Sequence, residues 1–90
     1  MKKLVSVQEV EGEGFTALLG EQVEIWCVNY IYTGTLVGVN EECVLLDNPY
    51  LVYETGAFDD KKWKDAQPLG GSRYIQKSAI ESFAKTKKVA

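Results

Sequence analysis

Residues 34–48 read GTLVGVNEECVLLDN, and this stretch decides the fold class. Its first half has a strand pattern carrying two glycines, Gly34 and Gly38, four positions apart on one face. Glycines so placed mark sharp curvature or the close approach of another backbone. A polar corner follows at Asn40, Glu41 and Glu42. Residues 43–46 (Cys-Val-Leu-Leu) then read as a strand apolar on both faces. A small-residue strand that turns at a polar corner into an apolar strand is a pattern expected of a very small closed barrel.

Upstream of that stretch, residues 23–28 alternate. Val23, Ile25 and Cys27 point one way and Glu24, Trp26 and Val28 the other, which predicts a strand. Asn29-Tyr30 is the expected turn into a second strand over 32–39. Residues 15–19 suit a helical turn ending at Gly20. Residues 1–14 support two readings: Leu4, Val7 and Val10 share a helix face, while Val5 and Val7 alternate as in a strand. Downstream, the third strand resumes at 50–54 beyond Asn48-Pro49, where the proline bends the strand or marks an edge.

Residues 55–71 read as one long irregular loop, with Gly56, Pro68, Gly70, Gly71 and the charged run DDKKWKD. A loop this long in so small a domain is functional or mobile. Residues 72–76 and 79–84 are the fourth and fifth strands, joined tightly at Lys77-Ser78, and 85–90 form a short basic tail. The expectation is a mainly all-β, five-stranded, strongly bent barrel with room for a short N-terminal helix. One domain spans 1–90, with the barrel core at about 15–84. SH3-like, OB and Sm-type barrels all fit.

The chain has 90 residues, 46% of them hydrophobic, which fits a folded domain rather than a disordered one. A chain this short buries a smaller share of its surface than a large domain does, so closing its strand edges would help it. Cys27 and Cys43 lie in apolar runs without CxxC spacing, read as buried thiols suited to a reducing cytoplasm. Met1-Lys2-Lys3 precedes no long apolar run, so no secretory signal is expected. No stretch approaches the ~20 apolar residues of a membrane span.

The net charge of −3 hides an asymmetry. Residues 1–60 hold two basic and eleven acidic residues, net −9; residues 61–90 hold eight basic and two acidic, net +6. Either the domain presents an acidic and a basic surface, or the two sets pair within it or across a subunit interface.

Catalysis has little to stand on. There is no His, the commonest general base and a common metal ligand. Asp59-Asp60 and Glu41-Glu42 are adjacent pairs, and neighbours on a strand face opposite ways. No enzyme activity, cofactor or metal is expected.

Set in order, the pieces resemble the Sm/LSm superfamily, including bacterial Hfq. LLGEQVEIWCVN resembles the first Sm strand, and GTLVGVN the G-x-L-x-G-x-D core of the first Sm motif, with Asn40 in the Asp place. NEECVLLDN is similar to the Hfq form of that corner, and IQKSAI to the Hfq run with its lysine-histidine-alanine-isoleucine. The resemblance covers about residues 15–84 and implies a base pocket where the corner after strand two meets the turn between strands four and five. It implies a homo-oligomeric ring of about five to seven copies, with residues 73–76 of one copy paired to 81–83 of the next.

Several positions depart from the family pattern. Glu41 replaces a neutral amide, Glu42 an aromatic, and Ser78 a histidine, while Gln76-Lys77 stand where the wider pattern has arginine-glycine. Two carboxylates beside a phosphate path repel it, so uridine preference does not carry over.

The expected ligand is single-stranded RNA, with DNA as an alternative. The pocket candidates are Asn40, Lys77 and Ser78, unless these simply make an ordinary turn. Lys62, Trp63 and Lys64 form a second candidate, an aromatic between lysines that can stack a base while ammoniums meet phosphate. The alternative there is a Trp folded back on the barrel among solvated lysines. Arg73 either reaches phosphate or forms a seam ion pair. Tyr30, Tyr32, Tyr50 and Tyr53 are stacking rings or simply strand formers. Lys85, Lys87 and Lys88 contact phosphate or fray in solvent. The rival function is a structural or adaptor ring that binds protein.

Overall fold

A computed structural model describes residues 14–90. The alternatives left open for residues 1–13 lie outside the described residues. A 3-10 turn, Phe15–Leu18, leads through Gly20 (φ 87°) into six strands. These are β1 (Gln22–Cys27), β2 (Ile31–Val39), β3 (Cys43–Glu54), β4 (Asp65–Pro68), β5 (Ser72–Gln76) and β6 (Ile80–Lys85). They form one antiparallel sheet in the order β4-β3-β2-β1-β6, with β5 also paired to β3.

The geometry follows from β3. Residues 43–47 of β3 pair with β5 and residues 50–54 with β4, so this one strand serves two partners in turn. Between the halves Asn48 takes φ 48°, a left-handed conformation open to Asn more readily than to most residues. The bend is held from the far side, where Asn48 N–H donates to Gly71 O (2.9 Å) and Leu69 N–H to Pro49 O (2.9 Å). β2 follows the same bend through two register shifts, one across Gly34 between Thr33 and Thr35 and one between Leu36 and Gly38. Gly34 is needed for contact: a Cβ there would sit 3.0 Å from Asp47 O and 3.2 Å from Pro49 Cα, both backbone atoms.

The alternation read from β1 appears in the core. Val23 and Ile25 join Leu36, Val44, Leu46 and Ile75 in one buried cluster. Phe15 stacks on Phe83 (centroids 3.7 Å apart) beside it, so the N-terminal turn closes one side. The buried Thr33 hydroxyl donates to Val23 O (2.9 Å), satisfying a polar group that would otherwise be costly to bury.

The structure corrects several expectations. The segment 55–71 is not one irregular loop: residues 65–68 form β4 on the second half of β3, giving six strands rather than five. β3 is not buried on both faces of its first half; Val44 and Leu46 are buried, while Cys43 and Leu45 are half-buried. Cys27 and Cys43 are free thiols, half-buried rather than enclosed. The tail is not frayed. Thr86 N–H donates to Gln22 O (2.9 Å), Val89 N–H to Lys61 O (3.0 Å), and Trp63 N–H to Val89 O (3.1 Å). Lys88 is only 9% exposed. Its Nζ donates to Thr55 O (3.0 Å) and Ala57 O (2.7 Å) and lies 4.8 Å from the centre of the Trp63 ring.

Among the described residues no helix is long and apolar enough to cross a membrane.

Candidate nucleic-acid interface

Two turns meet at one end of the sheet because β3 and β5 are paired. Cys43 lies opposite Gln76 in that ladder, which brings the corner at residues 40–42 against the 3-10 turn Lys77–Ala79. Lys77 N–H donates to Glu42 O (2.8 Å), joining the turns directly. Between them lies a cleft of about 490 Å³ lined by Glu41, Glu42, Cys43, Tyr74, Gln76, Lys77 and Ser78.

Asn40 builds the corner. Its Oδ1 accepts from Glu42 N–H and Cys43 N–H, both at 2.8 Å, and its own N–H donates to Cys43 O (3.0 Å). This is the local side-chain capping that suits Asn and Asp to turns. Its acceptor oxygen is therefore committed within the turn. Asn40 faces a neighbouring, more apolar cleft of about 240 Å³ that also includes Gly38, Val39 and Leu45, sharing Cys43 and Tyr74 with the first. The structure thus brings Lys77 and Ser78 into one cleft and places Asn40 next to it.

Lys77 is half-buried, with its Nζ 5.3 Å from the centre of the Phe15 ring, a cation–π distance that leaves the ammonium at the cleft edge. Ser78 is exposed. Glu41 and Glu42 are exposed carboxylates on the opposite wall, so the cleft carries one cation against two anions. Tyr74, 70% exposed, lines both clefts and was not among the tyrosines singled out from the sequence. The signal was available: Ile75 had to face inward, which turns Tyr74 outward.

The loop candidate comes apart. Trp63 is 2% exposed, packed under Lys88, and its ring is not a stacking platform. This overturns the stacking role expected of it, because burying a large ring against the sheet outweighs exposing it. Lys62 is exposed. Lys64 is exposed and pairs with Glu54 (3.2 Å), a solvated ion pair of small energetic weight. Arg73 is exposed on β5 opposite Leu46. Tyr30 and Tyr53 are exposed, while Tyr32 and Tyr50 are half-buried strand residues.

Burial pushes the Cys27 thiol pKa up, and the nearby Glu81 carboxylate adds to the effect, so the thiol is held protonated and weakly nucleophilic. Among the described residues no group of three or more metal-ligating side chains is arranged to hold an ion.

No protein-family model matches the chain, and no curated protein matches it. Solved structures do. A heptameric archaeal Sm protein superposes with a TM-score of 0.64 at 11% identity, over 80% of this chain and 94% of that one. The chain has the Sm fold. A second Sm-fold neighbour is the Pyrococcus abyssii Sm protein in complex with a uridine heptamer (TM-score 0.58, 15% identity, 80% and 92% covered). A chain of the NatC complex bound to CoA also matches (TM-score 0.60, 15% identity, 89% and 91% covered). Identities this low carry the Sm fold alone.

Proposed function

We propose that this chain assembles into a closed homo-oligomeric ring and binds single-stranded RNA, without chemistry of its own, in RNA processing or regulation. The observation that carries this reading is the direct junction of the two turns, Lys77 N–H to Glu42 O at 2.8 Å, with a cleft beside it. Two neighbours support it: one Sm protein is heptameric and another is in complex with a uridine heptamer. Among the described residues β5 pairs only with β3, and β6 only with β1, so each offers a free edge. Pairing β5 of one copy with β6 of the next removes both edges, and repeating that head-to-tail contact closes a ring.

In this ring Lys77 supplies the positive charge, Ser78 a hydroxyl donor, and Tyr74 a ring on which a base can stack. Glu41 and Glu42 repel phosphate and steer the backbone to the Lys77 side. Asn40 shapes the corner more than it reads a base. Arg73 and Lys62 are left as outlying phosphate contacts.

Lys77→Glu is expected to weaken oligo-U binding about tenfold or more and to lower the log–log salt slope by about one or more. Fluorescence anisotropy at low and moderate salt, with oligo-U, oligo-A and a matched single-stranded DNA, measures this and separates RNA from DNA. Binding by the variant equal to that of the parent protein would remove the cleft from the account.

A second reading, an adaptor ring that binds protein, draws on the two carboxylates of the cleft and on the likeness to a chain of the NatC complex. In that case Lys77→Glu leaves partner contacts intact and oligonucleotides do not compete.

A further inference from the structure

The face of β1 turned away from the core carries a groove whose charges do not balance. Glu24 and Trp26 of β1 line it, with Phe58 and Trp63 from the segment after β3. Three ammoniums, those of Lys85, Lys87 and Lys88, come from the chain end. Lys85 is neutralised by Glu21 at 3.3 Å. Lys88 is only 9% exposed, yet its ammonium donates to two uncharged carbonyls and has no carboxylate partner among the described residues. Buried charges are ordinarily paired, because taking a lone charge out of water is costly. Lys87 is exposed and also makes no ion pair among the described residues. The groove's own carboxylate, Glu24, accepts from Trp26 Nε1 (3.2 Å). Lys87 and Lys88 therefore stand against Glu24 alone, an excess of one positive charge.

The groove also lacks a hydrogen-bond acceptor. Trp63 is buried, and its Nε1 has no acceptor among the described residues. A buried donor left unpaired is costly and rare. Phe58 meets Trp26 edge to face at 6.3 Å, yet is 78% exposed, leaving its ring faces uncovered. A missing carboxylate, a missing acceptor oxygen and a bare aromatic face thus meet within about 290 Å³, at the small end of ligand sites. One excess charge beside Glu24 matches a single carboxylate. A strand of phosphates needs a run of cations, which this groove does not have.

We propose that this groove docks an acidic segment of a partner protein, with an aromatic side chain packed on Phe58, an adjacent carboxylate against Lys87 and Lys88, and a peptide oxygen accepting from Trp63 Nε1. The site uses none of the residues of the cleft at the joined turns and does not depend on the nucleic-acid reading. The ligand's carboxylate supplies the counter-charge that Lys88 lacks while it clasps the carbonyls of Thr55 and Ala57.

The chain has two tryptophans and both line the groove, so their indole N–H resonances report on it directly. The test titrates a labelled synthetic peptide of alternating glutamate and phenylalanine into the full chain, following anisotropy and the two indole resonances. A lysine–phenylalanine peptide of the same length is the control. The expected result is saturable binding of the acidic peptide alone, with both indole resonances displaced and that of Trp63 moving downfield as it gains an acceptor. Lys87→Glu is expected to weaken binding about tenfold, the loss of one charge-assisted contact. Phe58→Ala is expected to weaken it about threefold to tenfold, the worth of one aromatic pair. Both side chains are exposed; should Lys87→Glu still disturb the fold, Lys87→Gln is expected to weaken binding in the same direction. Equal binding of the two peptides, unchanged affinity in the folded Lys87 and Phe58 variants, or binding that leaves both indole resonances in place overturns the proposal. Oligo-U that displaces the peptide and moves the same two resonances makes the groove a nucleotide site and also overturns it.

Discussion

Gly34→Ala lowers the melting temperature by roughly 10–20 °C, the shift expected of about 2–3 kcal/mol of overpacking in a domain this small. The added Cβ would lie 3.0 Å from Asp47 O and 3.2 Å from Pro49 Cα. Neither is a side chain that can swing aside. Asn48 lies between these two residues in the left-handed region and is tied to Gly71, so the bend in β3 cannot slide away without losing its brace. Gly38 is the internal comparison. A Cβ there would meet only the Leu45 side chain, 3.2 Å away, so Gly38→Ala is expected to cost less. Thermal melts followed by circular dichroism check both. A Gly34→Ala melt that coincides with the parent's would mean the two backbones are farther apart than the account requires.

Lys88→Met opens the loop. Methionine keeps an unbranched stem of similar reach but cannot donate to Thr55 O and Ala57 O, which the ammonium holds at 3.0 and 2.7 Å. Hydrogen bonds from a charged donor contribute about 1.5–3 kcal/mol, and Thr55 O and Ala57 O are left with only their backbone donors, Lys64 N–H (3.4 Å) and Asp60 N–H (3.1 Å). The cation over Trp63 is lost as well. The expected result is a destabilisation of about 2–3 kcal/mol, with faster amide exchange concentrated in residues 55–64. Lys87→Met, one position away but exposed, is expected to stay within about 0.5 kcal/mol of the parent. Equal exchange protection in the two variants would contradict the clasp.

These two positions differ in how far the sequence exposes them. Gly34, the Val23/Ile25 alternation, the Asn40 corner and the Lys77-Ser78 turn were all legible, because periodicity and turn chemistry act over a few residues. β4 was not. Asp65-Ala66-Gln67-Pro68 has no apolar alternation, and its extended form is imposed by pairing with Leu51 and Val52 across the sheet. The clasp was equally hidden. Residues 85–90 look like a solvated basic end, and only the fold supplies the carbonyls that make Lys88 a buried partner. Trp63 among lysines reads as a binding motif or as packing, and the choice depends on the surface the loop meets. Tyr74 was legible from its neighbour Ile75 but emerges as a site residue only when two turns distant in sequence are joined.

The central claim, an Sm-fold ring that holds single-stranded RNA, is tested most directly by native mass spectrometry of the protein alone and with oligo-U at low salt. The account predicts one closed oligomer at a single multiple of the chain mass, shifted by bound oligonucleotide when RNA is added. A monomer that carries no oligonucleotide under the same conditions would contradict it.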